Sequence, residues 1–358
     1  MPTEKAHGLQ IAHMCNAFAQ LGHQVTLVVP RRNNPITEDL FLYYGLKPLF
    51  SVKYISSPDL LTRWGKYGRW VHWVHSIFFL IRLIAYTPQS GSIVYTRTSE
   101  IAWLFRLRSY TVVCEVHDWP ESFAWLYAFF LRRVQLIPCN SPGTERVCRA
   151  HGLSQTIVAH NGIDLEEFLK VFDAKEVRAD LGLPQEKKIV MYIGALETWK
   201  GVATLCEAST ALSSDTQVVI IGGNQKQVSD FCAQYPKITF LGTRPYKDLA
   251  KNQRAADVLV VPNIPLNEES TDYTSPIKLF AHMASGVPVI VSDLPSLRAI
   301  VSDESTFFFK AGDPAELAHC ITKVLANTAE AERRAREAGK EVLRYTWQNR
   351  AREILSRI

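Results

Sequence analysis

The chain has 358 residues, more than one ordinary hydrophobic core accommodates and enough for two domains. Apolar residues make up 47% and charged residues 21%, a globular composition that excludes a disordered or fibrous protein. The net charge of +5 is too small to indicate a nucleic-acid-binding protein.

The N-terminus and the cysteines bear on the cellular compartment. The first ten residues, MPTEKAHGLQ, carry charges where a secretory signal needs an apolar core, so we expect no export. The 7 cysteines are scattered and no two form a C-x-x-C pair, which favours reduced thiols over disulfides or structural zinc. The sequence therefore predicts a cytoplasmic protein.

In the first half, short apolar runs alternate with helical patterns. A helix is predicted over 8–21, and strands are predicted at 24–29, 92–96, 111–116 and 134–138. A doubly wound domain normally opens with a central strand, yet no strand pattern precedes the first helix. We expect either a recorded start downstream of the true one or an incomplete domain.

The region 63–108 is basic and rich in tryptophan. Its longest apolar run, 70–86, is interrupted by two histidines and Arg82 and is too short for a membrane-spanning helix. Basic residues mixed with Trp and Phe are typical of a helix lying on an anionic membrane surface. A buried helix whose few polar groups reach solvent is the alternative. We expect peripheral contact with the inner face of a membrane through this region.

In the second half, β-branched runs of strand length alternate with helical stretches. These runs lie at 188–193, 216–221, 238–241, 258–261 and 287–291. Strands that alternate with helices imply parallel sheets with right-handed crossovers. The sequence therefore predicts an α/β chain of two Rossmann-like, doubly wound domains facing across a cleft. The predicted domains are 1–165 and 166–341, with a C-terminal helix at 342–358 that packs back on the first.

The segment 273–286, YTSPIKLFAHMASG, predicts a well-capped helix. Ser275 suits the N-cap and Pro276 the first helical position. The free N–H groups of this helix and its positive dipole end would point out of the carboxyl edge of a parallel sheet, where phosphates bind. A purely structural helix is the alternative interpretation.

Two further segments carry candidate functional side chains. The loop YIGALETWKG, 192–201, follows a strand: Gly194 permits a sharp turn, and Lys200 is a compact cation suited to an anionic leaving group. The segment EVHD, 115–118, places His117 at the carboxyl end of a strand. For Lys200 taken alone, the alternative is a solvated surface lysine, and for His117 taken alone it is a structural histidine. Together with the helix at 275, they would converge on one interdomain cleft.

Motifs along nearly the whole chain resemble those of the retaining GT-B glycosyltransferases of family 4, in that family's order and spacing. The matching pieces are PTEKAHGLQ (2–10), GHQVTLVVP (22–30), EVHD (115–118), NSPGTER (140–146), HNGIDLEEF (160–168), YIGALETWKG (192–201), SPIKLF (275–280), MASGVPVI (283–290) and YTW (345–347).

The resemblance implies transfer of a sugar, with retention of anomeric configuration, from a UDP- or GDP-sugar to a glycan or lipid-linked acceptor in cell-surface polysaccharide or glycolipid synthesis. The nucleotide would lie on the second domain and the acceptor on the first. No Asp-x-Asp motif occurs in a setting that suggests Mg²⁺, so we expect no metal or other cofactor.

The resemblance also implies roles for individual residues. Lys200 and the stretch of Ser275, Pro276, Ile277 and Lys278, through its free backbone N–H groups, would hold the diphosphate, beside Gly194. Gly8, placed in the first loop, would lie near the donor phosphate and sugar, and His117 against the donor sugar. Thr243, in the stretch 242–246, would hold the base.

The chain departs from the family pattern at three positions. Ala195 stands where many members have Arg, and Tyr273 and Ala281 stand where the family has two glutamates. The second glutamate usually holds the ribose hydroxyls, and losing such a bond costs about 1.5–3 kcal/mol, roughly ten- to a hundredfold in affinity. The alternative function is therefore a catalytically impaired nucleotide-sugar-binding subunit of a partner glycosyltransferase. A sugar-nucleotide epimerase has no residue that favours it.

Overall fold

The computed structural model describes residues 1–3, 5–31, 33–34, 36–57 and 69–358, and for residues 69–75 it describes the backbone alone. Part of the basic, tryptophan-rich region, 63–68, therefore lies outside the described residues. The chain forms two compact units. Unit 1 consists of Met1–Asn140, Thr144–Ala159 and Trp347–Ile358, and unit 2 of Ser141–Gly143 and His160–Thr346.

The described strands of unit 1 form three parallel pairs. The pairs are β1 (Thr26–Arg31) with β2 (Ser51–Ser56), β3 (Ile93–Thr96) with β4 (Thr111–Cys114), and β5 (Ile137–Cys139) with β6 (Thr156–Val158). Single parallel bridges, Val113 to Leu136 and Val116 to Cys139, connect the second pair to the third. In the described part of the N-terminus, the first element is a helix.

The helices of unit 1 pack on these strands. They are α1 (Ala6–Gln20), α2 (Leu40–Tyr44), α3 (Arg69–Ile84), α4 (Ser99–Leu107), α5 (Ala124–Leu131) and α6 (Pro142–Ala150), whose first residues belong to unit 2. α4 and α5 bury an apolar core against β4 and β5, in which side chains including Phe105, Val112 and Leu131 are almost fully buried together. No helix in the described part of the chain combines the length and apolar character needed to cross a bilayer.

Unit 2 contains a six-stranded parallel sheet in the order β12-β11-β10-β7-β8-β9. The strands are β7 (Lys188–Ile193), β8 (Thr216–Ile221), β9 (Thr239–Phe240), β10 (Val258–Val261), β11 (Val289–Ser292) and β12 (Phe307–Phe309). β7 pairs with β8 on one side and with β10 on the other. Strands β8 and β9 are therefore added on one side of β7 and strands β10 to β12 on the other, so the order of strand addition reverses between β7 and β10. Ligands of open α/β sheets bind at such a switch point, outside the carboxyl ends of the strands.

The helices of unit 2 pack on both faces of this sheet. They are α7 (Ala174–Asp180), α8 (Val202–Ala208), α9 (Gln225–Gln234), α10 (Leu249–Gln253), α11 (Ile277–Ala284), α12 (Pro295–Arg298), α13 (Pro314–Ala326) and α14 (Thr328–Glu341), with short 3₁₀ turns at Glu166–Leu169, Thr198–Lys200, Ser209–Ala211, Tyr246–Asp248 and Val342–Arg344 and a π turn at Glu269–Tyr273. Residues 189–192 of β7 are all fully buried, as expected of a central parallel strand covered on both faces.

The last helix, α15 (Trp347–Leu355), belongs to unit 1 and packs against α1. The rings of Trp347 and His13 stack with centroids 5.6 Å apart, and Trp347 is almost fully buried. The C-terminal residues are therefore part of the first unit's core although the whole of the second unit's sheet precedes them in the chain.

All 7 cysteines are free thiols. Cys232, in α9, is exposed, Cys15 is partly buried, and the other five are buried.

Candidate active site

The loop after β7 lies very close to the end of β10, and a glycine permits this close approach. Gly201 has φ +68°, and a Cβ there would collide with the carbonyl oxygen of Pro262. The backbone N–H of Ile264 donates to the carbonyl of Trp199 at 2.9 Å, which ties the same loop to the residues after β10. The loop that carries Lys200 is therefore fixed at the switch point of the sheet.

Lys200 projects from this loop beside one carboxylate and one aromatic ring. Its Nζ lies 3.5 Å from Glu197 Oε2 and 4.7 Å from the centroid of the Trp199 ring. Only 21% of the side chain is exposed, so the ammonium group is partly removed from water. The arrangement holds a cation in place beside a mostly exposed carboxylate.

A second cation, Lys278, lies at the same place. Its Nζ is 3.5 Å from the hydroxyl of Tyr192, the penultimate residue of β7, and a Cβ at Gly194 would lie 3.7 Å from the Lys278 Cδ. Burial holds the pKa of Lys278 well below its usual range, and the charge of Lys200 lowers it further, while Glu197 opposes the shift. Gly194, Lys200 and Lys278, three of the residues predicted from the sequence, are thus brought together.

The helix that carries Lys278 begins one residue later than the sequence predicts. The prediction of Ser275 as N-cap is wrong: α11 starts at Ile277, and Pro276 is the N-cap residue without a side-chain capping bond. The hydroxyl of Ser275 is already used, since it accepts from the backbone N–H of Asn161 at 3.0 Å. The carbonyl of Ser275 accepts from the Asn161 side chain at 2.7 Å, which fixes the backbone that leads into the helix. The first N–H groups of the helix have no partner within it, as at any helix start.

A cavity opens at the carboxyl ends of the next two strands of the sheet. It has a volume of about 460 Å³ and is lined by Gly223, Asn224, Gln225, Val228, Phe240, Leu241, Gly242 and Thr243. The hydroxyl of Thr243 donates to the carbonyl of Gly223 at 2.9 Å, which joins the loops after β8 and β9. The cavity has the size and partly apolar lining that suit a planar heterocycle.

In unit 1, His117 follows β4 and is held by Glu115. The His117 Nε2 lies 2.9 Å from Glu115 Oε2, which also accepts from the Gln10 side chain at 2.8 Å. The other carboxylate oxygen, Oε1, accepts from the hydroxyl of Tyr95 and from Arg350 Nη1. The carboxylate is thus fully enclosed by four donors from α1, β3, α15 and its own strand end.

The electrostatics of this cluster favour an ionised Glu115 and a neutral His117. Burial disfavours ionisation of Glu115, but the Arg350 charge and the bond from His117 hold its pKa well below its usual range. Burial and the neighbouring charge of Arg97 lower the pKa of His117, against the raising effect of Glu115.

Gly8 lies in the first turn of α1, in agreement with the helix predicted over 8–21 and not with the loop position that the resemblance implies. A Cβ at Gly8 would collide with Thr3 and would lie 2.5 Å from the hydroxyl of Tyr44. That hydroxyl donates to the carbonyl of Thr3 at 2.9 Å. The close approach of Thr3 and Tyr44 therefore explains the glycine at position 8.

The residues at the positions that depart from the family pattern make contacts within unit 2. Ala281 is fully buried in an apolar cluster, and the hydroxyl of Tyr273 donates to Glu268 Oε2 at 2.5 Å. The carbonyl of Ala195 accepts from the hydroxyl of Tyr192 at 2.7 Å. No carboxylate therefore occupies position 273 or 281.

Several residues of the site were not identified from the sequence. Tyr192 and Glu115 lie inside quoted motifs but had no role assigned, and Arg350 lies outside every motif. Asn263, two residues after β10, is fully buried, and neither its amide nitrogen nor its amide oxygen has a hydrogen-bond partner among the described residues. An asparagine two residues after a buried strand was the available signal.

Comparison with known proteins gives two matches to family models, one for each half of the chain. Residues 8–167 match "Glycosyltransferase Family 4" and residues 173–342 match "Glycosyl transferases group 1". Among curated proteins, the phosphatidyl-myo-inositol mannosyltransferase of Mycobacterium leprae is 33% identical over 49% of this chain and 47% of its own length. The D-inositol 3-phosphate glycosyltransferase of Corynebacterium urealyticum is 24% identical over 54% of this chain and 48% of its own length. The chain thus spans about half the length of these curated relatives.

Solved structures match over the whole chain and share its fold. Sucrose-phosphate synthase from Thermosynechococcus elongatus superposes with a TM-score of 0.77 at 20% identity, covering 98% of this chain and 92% of that one. Anabaena HepE, solved in complex with UDP and glucose, has a TM-score of 0.75 at 16% identity, covering 100% and 98%. The predicted α/β fold of two Rossmann-like halves is confirmed. The chain belongs to the GT-B glycosyltransferases of family 4, the group-1 glycosyl transferases.

Proposed function

We propose that this protein transfers a sugar from a nucleoside-diphosphate donor to a glycan or lipid-linked acceptor. The observation that carries the proposal is the pair of lysines at the switch point of unit 2, where burial and the neighbouring lysine disfavour the charged form of Lys278. Lys200 and Lys278 lie together, and Glu197 is the carboxylate that acts on both. Placing two cations near each other out of water is costly unless an anion joins them. A diphosphate supplies that anion.

The surrounding elements fit the remaining parts of such a donor. The start of α11 offers backbone N–H groups and the positive end of the helix dipole to the phosphate oxygens. The cavity at Thr243 and Gly242 suits the base. We take UDP as the first probe because HepE was solved in complex with it, and GDP as the second.

In the proposed reaction, the bond between the anomeric carbon and the diphosphate oxygen breaks, and the electron pair leaves with the diphosphate. Lys200 and the start of α11 stabilise the negative charge that develops there. The acceptor hydroxyl forms the new bond to the same face of the anomeric carbon, and its proton passes to the departing diphosphate. The reaction therefore needs no dedicated carboxylate base, and we propose that it needs no metal ion.

We further propose that unit 1 rests on an anionic membrane surface that carries the acceptor. One face of α3 exposes Ile77, Phe78, Ile81 and Ile84, and Leu83 faces the core. α4 contacts both α3 and α5, and α5 exposes Trp125 and Phe129. Arg82 belongs to α3, and Arg132 and Arg133 directly follow α5. Apolar side chains interleaved with arginine suit the boundary between headgroups and acyl chains.

A liposome experiment tests the membrane part. The protein should sediment with anionic vesicles and not with neutral ones, and salt should release it, because the charges are exposed and screened. I77N/I81N should remove binding, whereas L169N/V171N, two exposed apolar positions of unit 2, should not. Equal binding to neutral vesicles, or an equal loss in the control variant, contradicts the proposal.

A second function, a nucleotide-sugar-binding subunit without activity, is favoured by one observation. Ala281 is buried and offers no carboxylate for the ribose. Both functions predict UDP binding, so turnover separates them: the enzyme releases UDP from UDP-glucose or another UDP- or GDP-sugar in the presence of acceptor, and the subunit does not. A panel of nucleoside diphosphates in calorimetry identifies the donor class first, and absence of binding by every diphosphate contradicts both.

A further inference from the structure

The cluster around Glu115 determines more than the position of His117. An ionised carboxylate only accepts hydrogen bonds, so each of its four neighbours must present a hydrogen. Gln10, Tyr95 and Arg350 do so through their amide, hydroxyl and guanidinium groups. His117 approaches the same carboxylate with Nε2, at 2.9 Å. The hydrogen of its neutral ring must therefore be on Nε2.

The other ring nitrogen of His117 is left for a ligand. Nδ1 makes no hydrogen bond to any described residue, and 13% of the side chain is exposed. In the neutral ring protonated at Nε2, Nδ1 carries a lone pair and accepts a hydrogen bond. It repels the oxygen of a phosphate, which also only accepts.

We propose that Glu115 is a positioning residue that fixes His117 in the Nε2–H form, so that Nδ1 accepts a hydrogen bond from a hydroxyl or N–H group of the ligand. The chemistry selects the sugar part of the donor rather than its diphosphate. The identity of that ligand rests on the proposed function, whereas the tautomer does not.

The variant E115Q gives a sharp expectation because an amide has one accepting and one donating end. Arg350 can only donate, so the amide oxygen of the introduced glutamine must face Arg350 and Tyr95. The amide NH₂ then faces both His117 and Gln10, so Gln10 must turn its amide oxygen toward it and His117 Nε2 must accept, which moves the ring hydrogen to Nδ1. Removing the Glu115 charge does not favour a charged His117, since Arg97 and Arg350 both lower its pKa.

The experiment measures the tautomer directly, by ¹⁵N NMR of protein labelled at its 10 histidines, with H117Q used to assign the His117 signals. Wild-type His117 should be neutral and protonated at Nε2, and should stay so at pH 6.5, where an ordinary histidine is about half charged. The groups that face the ring are Gln10, Tyr95, Arg97, Glu115 and Arg350. A hydrogen on Nδ1, or a half-charged ring at pH 6.5, overturns the proposal.

Two variants separate positioning from simple structural support. E115Q should reverse the tautomer, whereas Y95F, which removes a donor from the same carboxylate but leaves its charge, should not. If E115Q does not fold because Arg350 loses its buried counter-charge, E115Q/R350M replaces it, and both tautomers should then be populated. A ring that remains purely Nε2–H in the folded variant overturns the positioning role.

Binding of UDP distinguishes this inference from the proposed function. UDP lacks the sugar, so its affinity should change by less than about twofold in E115Q, well under 1 kcal/mol. If wild-type protein binds no nucleoside diphosphate, the proposed function fails while the tautomer result stands. If E115Q loses UDP binding with its fold intact, Glu115 acts on more than His117 and the inference fails.

Discussion

The two clusters of candidate functional residues differ in how their charges are balanced. In unit 1, Glu115 is enclosed by donors and paired with Arg350, whose side chain is only 2% exposed. In unit 2, Lys200 and Lys278 share a mostly exposed Glu197, which does not offset the burial and the Lys200 charge that disfavour a charged Lys278. The first cluster is complete without a ligand and presents one neutral nitrogen, whereas the second reaches charge balance when an anion binds. We therefore expect changes in the first to affect folding and changes in the second to affect binding.

The largest expected effect is on stability, from R350M. Removing the arginine leaves the Glu115 carboxylate buried without its counter-charge, which should lower the free energy of unfolding by about 3–5 kcal/mol. Chemical denaturation measures this loss. R352M, on the exposed side of the same helix, is the matched control and should lie within about 0.5 kcal/mol of wild type. A loss in R350M as small as in the control would show that the buried pair does not hold unit 1 together.

K200A should act in the opposite way, on binding and not on folding. Losing a charge-assisted bond to the diphosphate should weaken UDP binding by roughly ten- to a hundredfold, about 1.5–3 kcal/mol. Calorimetry gives the dissociation constant, and thermal denaturation should show an unchanged midpoint. K310A, an exposed lysine of the same unit, should bind like wild type. Unchanged affinity in K200A removes Lys200 from the donor site.

K278M should weaken binding while it stabilises the protein. The fold holds the pKa of Lys278 below its ordinary value and so disfavours the charged form. At neutral pH this lowers the free energy of unfolding, and the loss becomes smaller as the pH rises toward the pKa of the lysine in the unfolded chain. Methionine avoids the cost, and we expect of order 1 kcal/mol of added stability near pH 7. A K278M protein no more stable than wild type would show that the lysine is hydrated.

The same lysine predicts a proton signal on binding. A diphosphate raises the pKa of Lys278 again, so UDP binding should take up protons at pH values near or above its depressed pKa. Titrations in buffers of different ionisation enthalpy measure the uptake. K278M should lose it and K310A should keep it. A wild-type protein that binds UDP without proton uptake at any pH between about 7 and 10 contradicts the assigned contact.

The smallest expected effect concerns metal ions. UDP affinity should be the same in EDTA and in Mg²⁺, within about twofold, because lysine side chains and helix N–H groups are the proposed phosphate ligands. Calorimetry under the two conditions decides this. A Mg²⁺-dependent affinity would show that the charge at the switch point is supplied by a metal ion as well.

The sequence predicted the second unit better than the first, for a physical reason. Strands at 188–193, 216–221 and 258–261 were predicted at their observed bounds, because central parallel strands are continuous β-branched runs. β2 is largely exposed and β12 is a largely buried run of three Phe residues, so neither forms a continuous β-branched run, and both were missed. For the site residues too, local patterns could be recognised in the sequence and long-range contacts could not. Lys200 and Lys278 lie in local motifs, whereas Arg350 meets Glu115 across 235 residues of sequence and leaves no local signal.

The exposed thiol on α9 has a practical consequence for this protein. Cys232 lies one helical turn beyond Val228, which lines the cavity at Thr243. Because the other cysteines are buried or partly buried, a maleimide fluorophore should attach there without any substitution. Its emission would report occupancy of the neighbouring cavity in a plate reader, which allows nucleotide libraries to be ranked before any acceptor is known.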